Sequence, residues 1–334
     1  MSRRSAKGPD GLVVIDKPAG HTSHDVVARL RGIARTRRVG HAGTLDPMAT
    51  GVLVIGLGRA TRLLGHLALT DKEYLGTIRL GQETVTDDAE GAITAGRGAG
   101  TIDRAAVEAA VVPLTGDIMQ VPARVSAVKV EGKRAHRRVR EGEEVELPAR
   151  PVTVSRFTVH DVGPARADDG TSVLDVTVTV GCSSGTYIRA LARDLGAALG
   201  TGGHLTALRR TRVGPYRIED ATELEHLAER ARTRSGGPAG TGKGEDGEGG
   251  GDGSLPAFAP MSLEEAAAAA FPRWDLDARR TRLIANGVRL DAEELPGALR
   301  SAGPVAAFGV DGRLVALVEA EGRHIRVRVG FPEP

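Results

Sequence analysis

Residues Gly40-His41-Ala42-Gly43-Thr44-Leu45-Asp46-Pro47-Met48-Ala49-Thr50-Gly51 form a small, polar, glycine-bounded stretch that runs directly into Val52-Leu53-Val54-Ile55. This junction constrains the fold more than any other feature of the chain. The apolar run has to be buried as a strand, so the polar stretch reads as a loop pinned at a strand end, where a fold can hold a carboxylate out to a ligand. Asp46 is that carboxylate. Taken alone, Asp-Pro between glycines is also ordinary turn chemistry, and the rest of the chain has to decide between a turn and a site.

A length of 334 residues allows two domains, or one large domain with an appendage, because single cores seldom grow past about 250–300 residues. The lone cysteine, Cys182, excludes an intrachain disulfide and a cysteine-based zinc site, and it points to a reducing compartment. No run approaches the roughly 18 apolar residues of a membrane span. The basic opening residues Met1 to Lys7 precede no apolar signal core, so a cytoplasmic protein is expected.

The formal net charge is only +2, yet the charges are segregated. Basic residues gather at Arg29, Arg31, Arg35, Arg37 and Arg38, again from Arg124 through Lys129, Lys133, Arg134, Arg137, Arg138 and Arg140, and again at Arg209, Arg210 and Arg212. Any one cluster could be solvated surface. Three clusters folded onto one face would make a track for a polyanion, since each Lys or Arg that displaces counterions adds affinity for nucleic acid.

In chain order, Gly11 to Asp16 reads as a buried strand ended by the turn Lys17-Pro18-Ala19-Gly20. Thr22 or Ser23 can cap a helix carrying Val26, Val27, Leu30 and Ile33 at helical spacing. Val52 to Leu57 is a strand and Arg59 to Leu69 a helix. Glu73 to Leu80 alternates as a half-buried strand with Tyr74 on its apolar side, where a core tyrosine is the ordinary reading. Gln82 to Glu90 is an acidic loop, and Asp103 caps a helix ending near Pro113. Strands follow at Val125 to Val130, Val152 to Val159 and Val173 to Val180. Thr186 or Ser184 caps a helix reaching Leu199, with Tyr187 and Arg189 in its first turn. Gly202 to Gly214 is glycine-bounded and basic, and Ala221 to Ala231 is a helix.

Residues 235–254 are almost wholly Gly, Ser, Thr, Lys, Asp and Glu and read as a disordered insertion, because such a composition buries too little apolar surface to order itself. A helix at Ser262 to Phe271 stops at Pro272. From about Leu276 a new unit begins: an Arg-rich helix, then strands around Val305 to Val310, Leu314 to Val318 and Ile325 to Val329, with Asp311-Gly312 as a hairpin signal. The whole is an α+β pattern, a mixed and mainly antiparallel central sheet flanked by helices, followed by a small β unit.

Several spaced segments, in order, resemble the TruB-type tRNA pseudouridine synthases. The most specific is Gly40 to Pro47 with Ala49-Thr50-Gly51-Val52-Leu53. Supporting segments are Asp16 to Ser23, Lys72-Glu73-Tyr74, Gly81 to Gly91 with Asp87-Asp88, Gly185 to Arg189, and Leu208 to Gly214. The resemblance implies a pseudouridine synthase domain over residues 1–275 and a PUA-like RNA-binding domain over 276–334. It implies isomerisation of uridine 55 in the tRNA T-loop by base flipping, with no metal and no cofactor. The expected partner is the T-arm of tRNA, with no membrane, and the protein acts as a monomer.

By that resemblance Asp46 is the essential carboxylate, attacking the ribose or acting at C2′. A carboxylate that stays ionised in a closed pocket needs a fixed cation, since burial alone raises its pKa, and Arg189 fits that role because a guanidinium pairs bidentately and stays charged. Tyr74 would stack on the flipped uracil and handle the C5 proton as acid or base. Tyr187 and Leu208 would line the pocket. His41 would fill the space the base leaves, a role preferred over zinc binding because no partner ligands stand at metal spacing. Asp88 would join a polar network, while Lys17 and Arg62 would contact substrate. The loop glycines would let the RNA backbone come close. Ala123, Val125 and His136 depart from the family's usual residues in the basic protrusion. Two alternatives remain at this level: a tRNA-binding or folding factor without essential catalysis, and a related synthase acting on another RNA.

Overall fold

The computed structural model describes residues 9–123, 129–130, 133–134, 147–235 and 259–332. The chain separates into two compact units, one built from 1–45, 53–68 and 219–334, the other from 46–52 and 69–218. The strand Thr50–Leu57 contributes Thr50 to Val52 to the second unit and the rest to the first.

In the first unit, Gly11–Lys17 is buried along nearly its whole length, because Leu12, Val13, Val14 and Ile15 leave it no polar face. It pairs in parallel with Thr222–Glu223. Thr22 closes a capping box on the helix Ser23–Ile33: its hydroxyl accepts from the Asp25 amide at 3.1 Å, and its own amide donates to the Asp25 carboxylate at 2.8 Å. Val26, Val27 and Leu30 of that helix pack with Val13, Ile15, Leu53, Ile55 and Leu57, and with Leu224 and Leu227 from the helix Leu224–Ser235. Val39–Ala42 pairs antiparallel with residues 54–57.

The C-terminal part of the first unit carries its own core of Trp274, Leu276, Ile284, Leu290, Val305, Val318 and Ile325. Its five-stranded sheet runs in the order Arg273–Asp275, Val305–Phe308, Leu314–Glu321, His324–Gly330, Leu290–Asp291. The first pair is parallel and the others antiparallel. Gly312 takes φ of 76° in the turn that Asp311-Gly312 signalled.

The second unit is a sheet in the order Gly203–Val213, Lys72–Leu80, Ser172–Cys182, Arg150–Arg166, Gly116–Gln120, antiparallel throughout. Thr50 and Gly51 join its Gly203–Val213 edge in parallel. Side chains alternate as the valines require: Val176, Val178 and Val180 are buried and lie across from Ile78, Gly76 and Tyr74. The helix Ile188–Ala198 packs on Gly203–Val213 and Lys72–Leu80. Gly196 allows that approach, since a Cβ there would lie 2.1 Å from the Gly202 carbonyl carbon.

Several expectations are corrected. The Gly40 to Gly51 stretch is strand at both ends, because Val39–Ala42 finds a partner and Thr50 already belongs to the next strand. Arg59 to Leu69 is a 3-10 segment, Gly58–Arg62, and one helical turn, Leu64–Leu67. Gln82 to Glu90 contains a short strand, Gln82–Thr84, paired with Ile93–Gly96. The strand placed at Val152 to Val159 extends over Arg150–Arg166. Gly202 to Gly214 is a strand that periodicity hides, because two register shifts interrupt its alternation. The Val125 to Val130 strand, most of the basic stretch from Arg124 to Arg140 and the 235–254 insertion lie outside the described residues, apart from the short pair Lys129–Val130 and Lys133–Arg134 and the residue Ser235.

Candidate active site

Asp46 opens a tight turn in which the Ala49 amide donates to the Asp46 carbonyl at 3.1 Å. The turn that Asp-Pro signals is therefore present, and Asp46 stands in it. The turn is fastened at its far end by Gly51, which takes φ of +100° and pairs with Arg210. A Cβ at Gly51 would fall 2.2 Å from the Arg210 carbonyl oxygen, so the neighbouring protein backbone already requires glycine there, without appeal to RNA.

Arg189 lies in the first turn of Ile188–Ala198. The N-cap is Tyr187, with no side-chain cap, and the expected cap Thr186 instead donates its hydroxyl to the Ser183 carbonyl at 3.0 Å. Gln120, which the sequence did not single out, holds this helix start. Its side-chain oxygen accepts from the Tyr187 amide at 2.9 Å, and its amide nitrogen donates to the Tyr187 carbonyl at 3.1 Å. A buried glutamine satisfying both backbone groups of one residue does the work of a cap.

The Arg189 guanidinium takes both oxygens of Asp46, with Nε to Oδ2 at 2.9 Å and Nη2 to Oδ1 at 3.2 Å. Its Nη1 donates to the Thr86 carbonyl at 2.8 Å and lies 3.4 Å from Asp88 Oδ2. Asp88 also accepts from the Thr86 hydroxyl at 2.5 Å and the Glu90 amide at 3.0 Å. The side chain of Arg189 is 7% exposed and that of Asp46 35%. A buried, fully engaged cation thus presents a carboxylate that a ligand can still reach, the arrangement a reacting carboxylate needs. Glu90 stands beside this cluster. Loss of some solvent around this exposed side chain, then the charges of Asp88 and Asp46, push its carboxyl above the ordinary range, against the Met48 amide and Arg189.

Tyr74 is buried between Val180 and Arg210 in the sheet ladder. Burial raises its phenol pKa, and Arg210 opposes the rise by charge and by a hydrogen bond. Leu208, across from Gly76, is buried two residues from Arg210 on the same strand. Burial also pushes the Lys72 ammonium down to about 8, helped by Arg210, and the Cys182 thiol up to about 11. Within the third basic cluster Arg210 is buried, while Arg209 and Arg212 are half-buried. Arg210 is 1% exposed and its Nε donates to the Val52 carbonyl at 2.7 Å. Arg209 donates to the Thr50 hydroxyl at 3.2 Å, and Arg212 to the Gly214 carbonyl at 2.9 Å.

Asp46, Arg189, Asp88, Tyr74, Tyr187 and Leu208 all belong to the second unit; His41, Lys17 and Arg62 belong to the first. His41 meets His24 edge-on, ring centroids 5.5 Å apart. Lys17 is wholly buried and donates to the carbonyls of Pro18 at 2.8 Å and His21 at 2.6 Å, so it braces its own turn. Arg62 donates to the Gly330 carbonyl at 2.6 Å. In the first basic cluster Arg31, Arg35, Arg37 and Arg38 are exposed, while Arg29 pairs with Glu225. Among the described residues, no three His, Cys, Asp or Glu side chains gather as metal ligands, and no helix is long and apolar enough to cross a membrane.

Three family models match the chain: TruB family pseudouridylate synthase (N terminal domain) over 31–188, the tRNA pseudouridylate synthase B C-terminal domain over 189–236, and tRNA Pseudouridine synthase II, C terminal, over 271–332. The tRNA pseudouridine synthase B of Streptomyces coelicolor is 61% identical over 311 residues, covering 93% of each chain. Its counterpart in Streptomyces griseus is 60% identical over 313 residues, covering 94% of each. Among solved structures, a Cbf5-Nop10-Gar1 complex contains a chain that superposes with a TM-score of 0.68 at 27% identity, covering 96% of this chain and 85% of that one. An H/ACA RNP bound to a substrate RNA containing 2′-deoxyuridine gives 0.67 at 25% identity, covering 97% and 85%.

Proposed function

The chain belongs to the TruB family of pseudouridylate synthases, and from that premise we propose that it isomerises uridine 55 in the T-loop of tRNA to pseudouridine, with Asp46 as the reacting carboxylate. The observation that carries this assignment is the two-oxygen pairing of a reachable Asp46 with a buried Arg189. Paired with Arg189, the carboxylate attacks the ribose or acts at C2′ while the glycosidic bond breaks. The uracil then turns and rejoins through C5, and Tyr74 handles the C5 proton.

A loop base is already partly unstacked, which lowers the cost of flipping it. Leu208 and Tyr187 line the pocket, Asp88 keeps Arg189 oriented, and His41 holds the loop the base has left. Lys17 acts through the turn it braces, and Arg62 contacts RNA. The exposed arginines at 31, 35, 37 and 38 grip the T-arm backbone. Residues 1–275 supply catalysis and 276–334 act as a PUA-like RNA-binding domain; the protein works as a monomer in the cytoplasm.

The decisive test is Asp46→Asn. The variant should bind tRNA with near-normal affinity and release no tritium from tRNA labelled at uridine C5. Full turnover by the variant would sink the assignment. Sequencing tRNA from cells lacking the gene should show unmodified uridine in the T-loop, and pseudouridine persisting there would point to an RNA-folding role instead.

A further inference from the structure

Arg210 is among the largest fully buried side chains of the described residues, and it stands across from Tyr74 on the neighbouring strand. The antiparallel ladder sets the two residues directly opposite each other, so their side chains share a face. The guanidinium is anchored from behind by the Val52 carbonyl at 2.7 Å. The Asp46 turn is seated on Arg210's own backbone through Gly51. A cation buried this deeply costs stability unless its hydrogen bonds are satisfied. Its placement therefore calls for an explanation that surface RNA binding cannot supply.

We propose that Arg210 is a positioning residue for the isomerisation, holding the Tyr74 hydroxyl oxygen and compensating the charge that the phenol takes on during proton transfer. This inference rests on the uridine isomerisation proposed above. Cleavage of the N1–C1′ bond sends its electron pair to the uracil, which must gain a proton at N1. Formation of the C5–C1′ bond leaves a proton on C5 that must depart to restore the ring double bond. Tyr74 balances both needs: its phenol proton passes to the released uracil anion, and the resulting phenolate takes the proton from C5. The side chain begins and ends as a phenol, and neither oxidant nor co-reactant is required.

The groups facing Tyr74 divide by sign. Burial, Cys182 and the Asp46 carboxylate all disfavour a phenolate, whereas Arg210 favours one by charge and by hydrogen bond. Arg210 is thus the cation that works against the other three. With its Nε committed to Val52, it is fixed rather than recruited, so little reorganisation is needed when charge develops.

The test compares wild type with Arg210→Gln and Arg210→Lys, reading tritium release from C5-labelled tRNA between about pH 6 and 9. Arg210→Gln should fall roughly 10- to 100-fold near neutrality, in the range a general acid–base group contributes, with tRNA affinity unchanged. Because the proton moves from the phenol to the uracil and not to solvent, raising the pH should not restore the lost rate. Substrate deuterated at C5 should show a larger isotope effect in the variant than in wild type. Lysine keeps the charge but cannot serve Val52 and Tyr74 with one planar fork, so Arg210→Lys should fall between the two; it also stands in if the glutamine variant fails to fold. A loss with a wild-type isotope effect, or one that pH 9 restores, would make the role merely structural and overturn the proposal, as would a wild-type rate and isotope effect in folded Arg210→Lys. Failure of wild type itself to release tritium would refute the isomerase assignment, a distinct outcome.

Discussion

Single residues in the second unit show charge being placed where burial would otherwise forbid it. Arg189→Lys illustrates what the pairing geometry contributes: an ammonium cannot hold both Asp46 oxygens and the Thr86 carbonyl at once. Single-turnover rate should drop roughly 100-fold, the scale of one misplaced catalytic group, with tRNA binding little changed. Lys72 offers a pH-dependent counterpart. Its ammonium titrates near 8 in the folded chain against 10.5 in the open one, so between those values the unfolded state holds more protons and stability rises with pH. Below about 8 the charged form costs the fold about 3 kcal/mol. Urea unfolding of wild type and Lys72→Met should therefore diverge in pH dependence: the wild type gains relative to the variant from about pH 8 to 10.5, with no relative change below about pH 7.

The strands and helices behind the site depend on close backbone approach. Gly196→Ala would drive a methyl into the Gly202–Gly203 backbone, with the Gly202 carbonyl carbon 2.1 Å and the Gly203 amide nitrogen 2.2 Å away. Overpacking against backbone should cost about 2–3 kcal/mol in urea unfolding, and it should lower turnover as well by moving the helix that carries Arg189. Much at this scale was legible in the sequence: a cap at Thr22 or Ser23 and the valines at 173–180 each named its element, because local chemistry decided them. Gly203–Val213 escaped, since its bulges break the period and its arginines look like surface. Arg210 illustrates the limit. Nothing local separates a guanidinium bound for solvent from one bound for a core; the difference lies in Tyr74 and Val52, far away in sequence. Gln120 is hidden for the same reason, as its partner Tyr187 is 67 residues on.

At the scale of the whole molecule, the basic clusters differ in how far they reach solvent. Of the basic clusters, the one at 29–38 is largely exposed, and in the one at 209–212 Arg210 is buried while Arg209 and Arg212 are half-buried. Replacing Arg37 and Arg38 together should weaken tRNA binding and flatten its dependence on log salt by roughly one for each phosphate no longer neutralised. Replacing Arg209 should leave that slope unchanged. Deleting residues 236–253 should leave turnover nearly unchanged, because a segment of that composition contributes no core. A large fall in rate would mean that it reaches the substrate.

The guanidinium of Arg189 joins chain segments remote from one another, reaching Asp46 across 143 residues and Thr86 across 103. Pairings of such separation are slow to find, since loop closure must precede them. Enzymatic competence in refolding should therefore lag behind secondary structure. The return of activity would serve as a clock for the latest long-range pairings of the second unit, and a chain nicked between those segments could look folded by circular dichroism while still being inert.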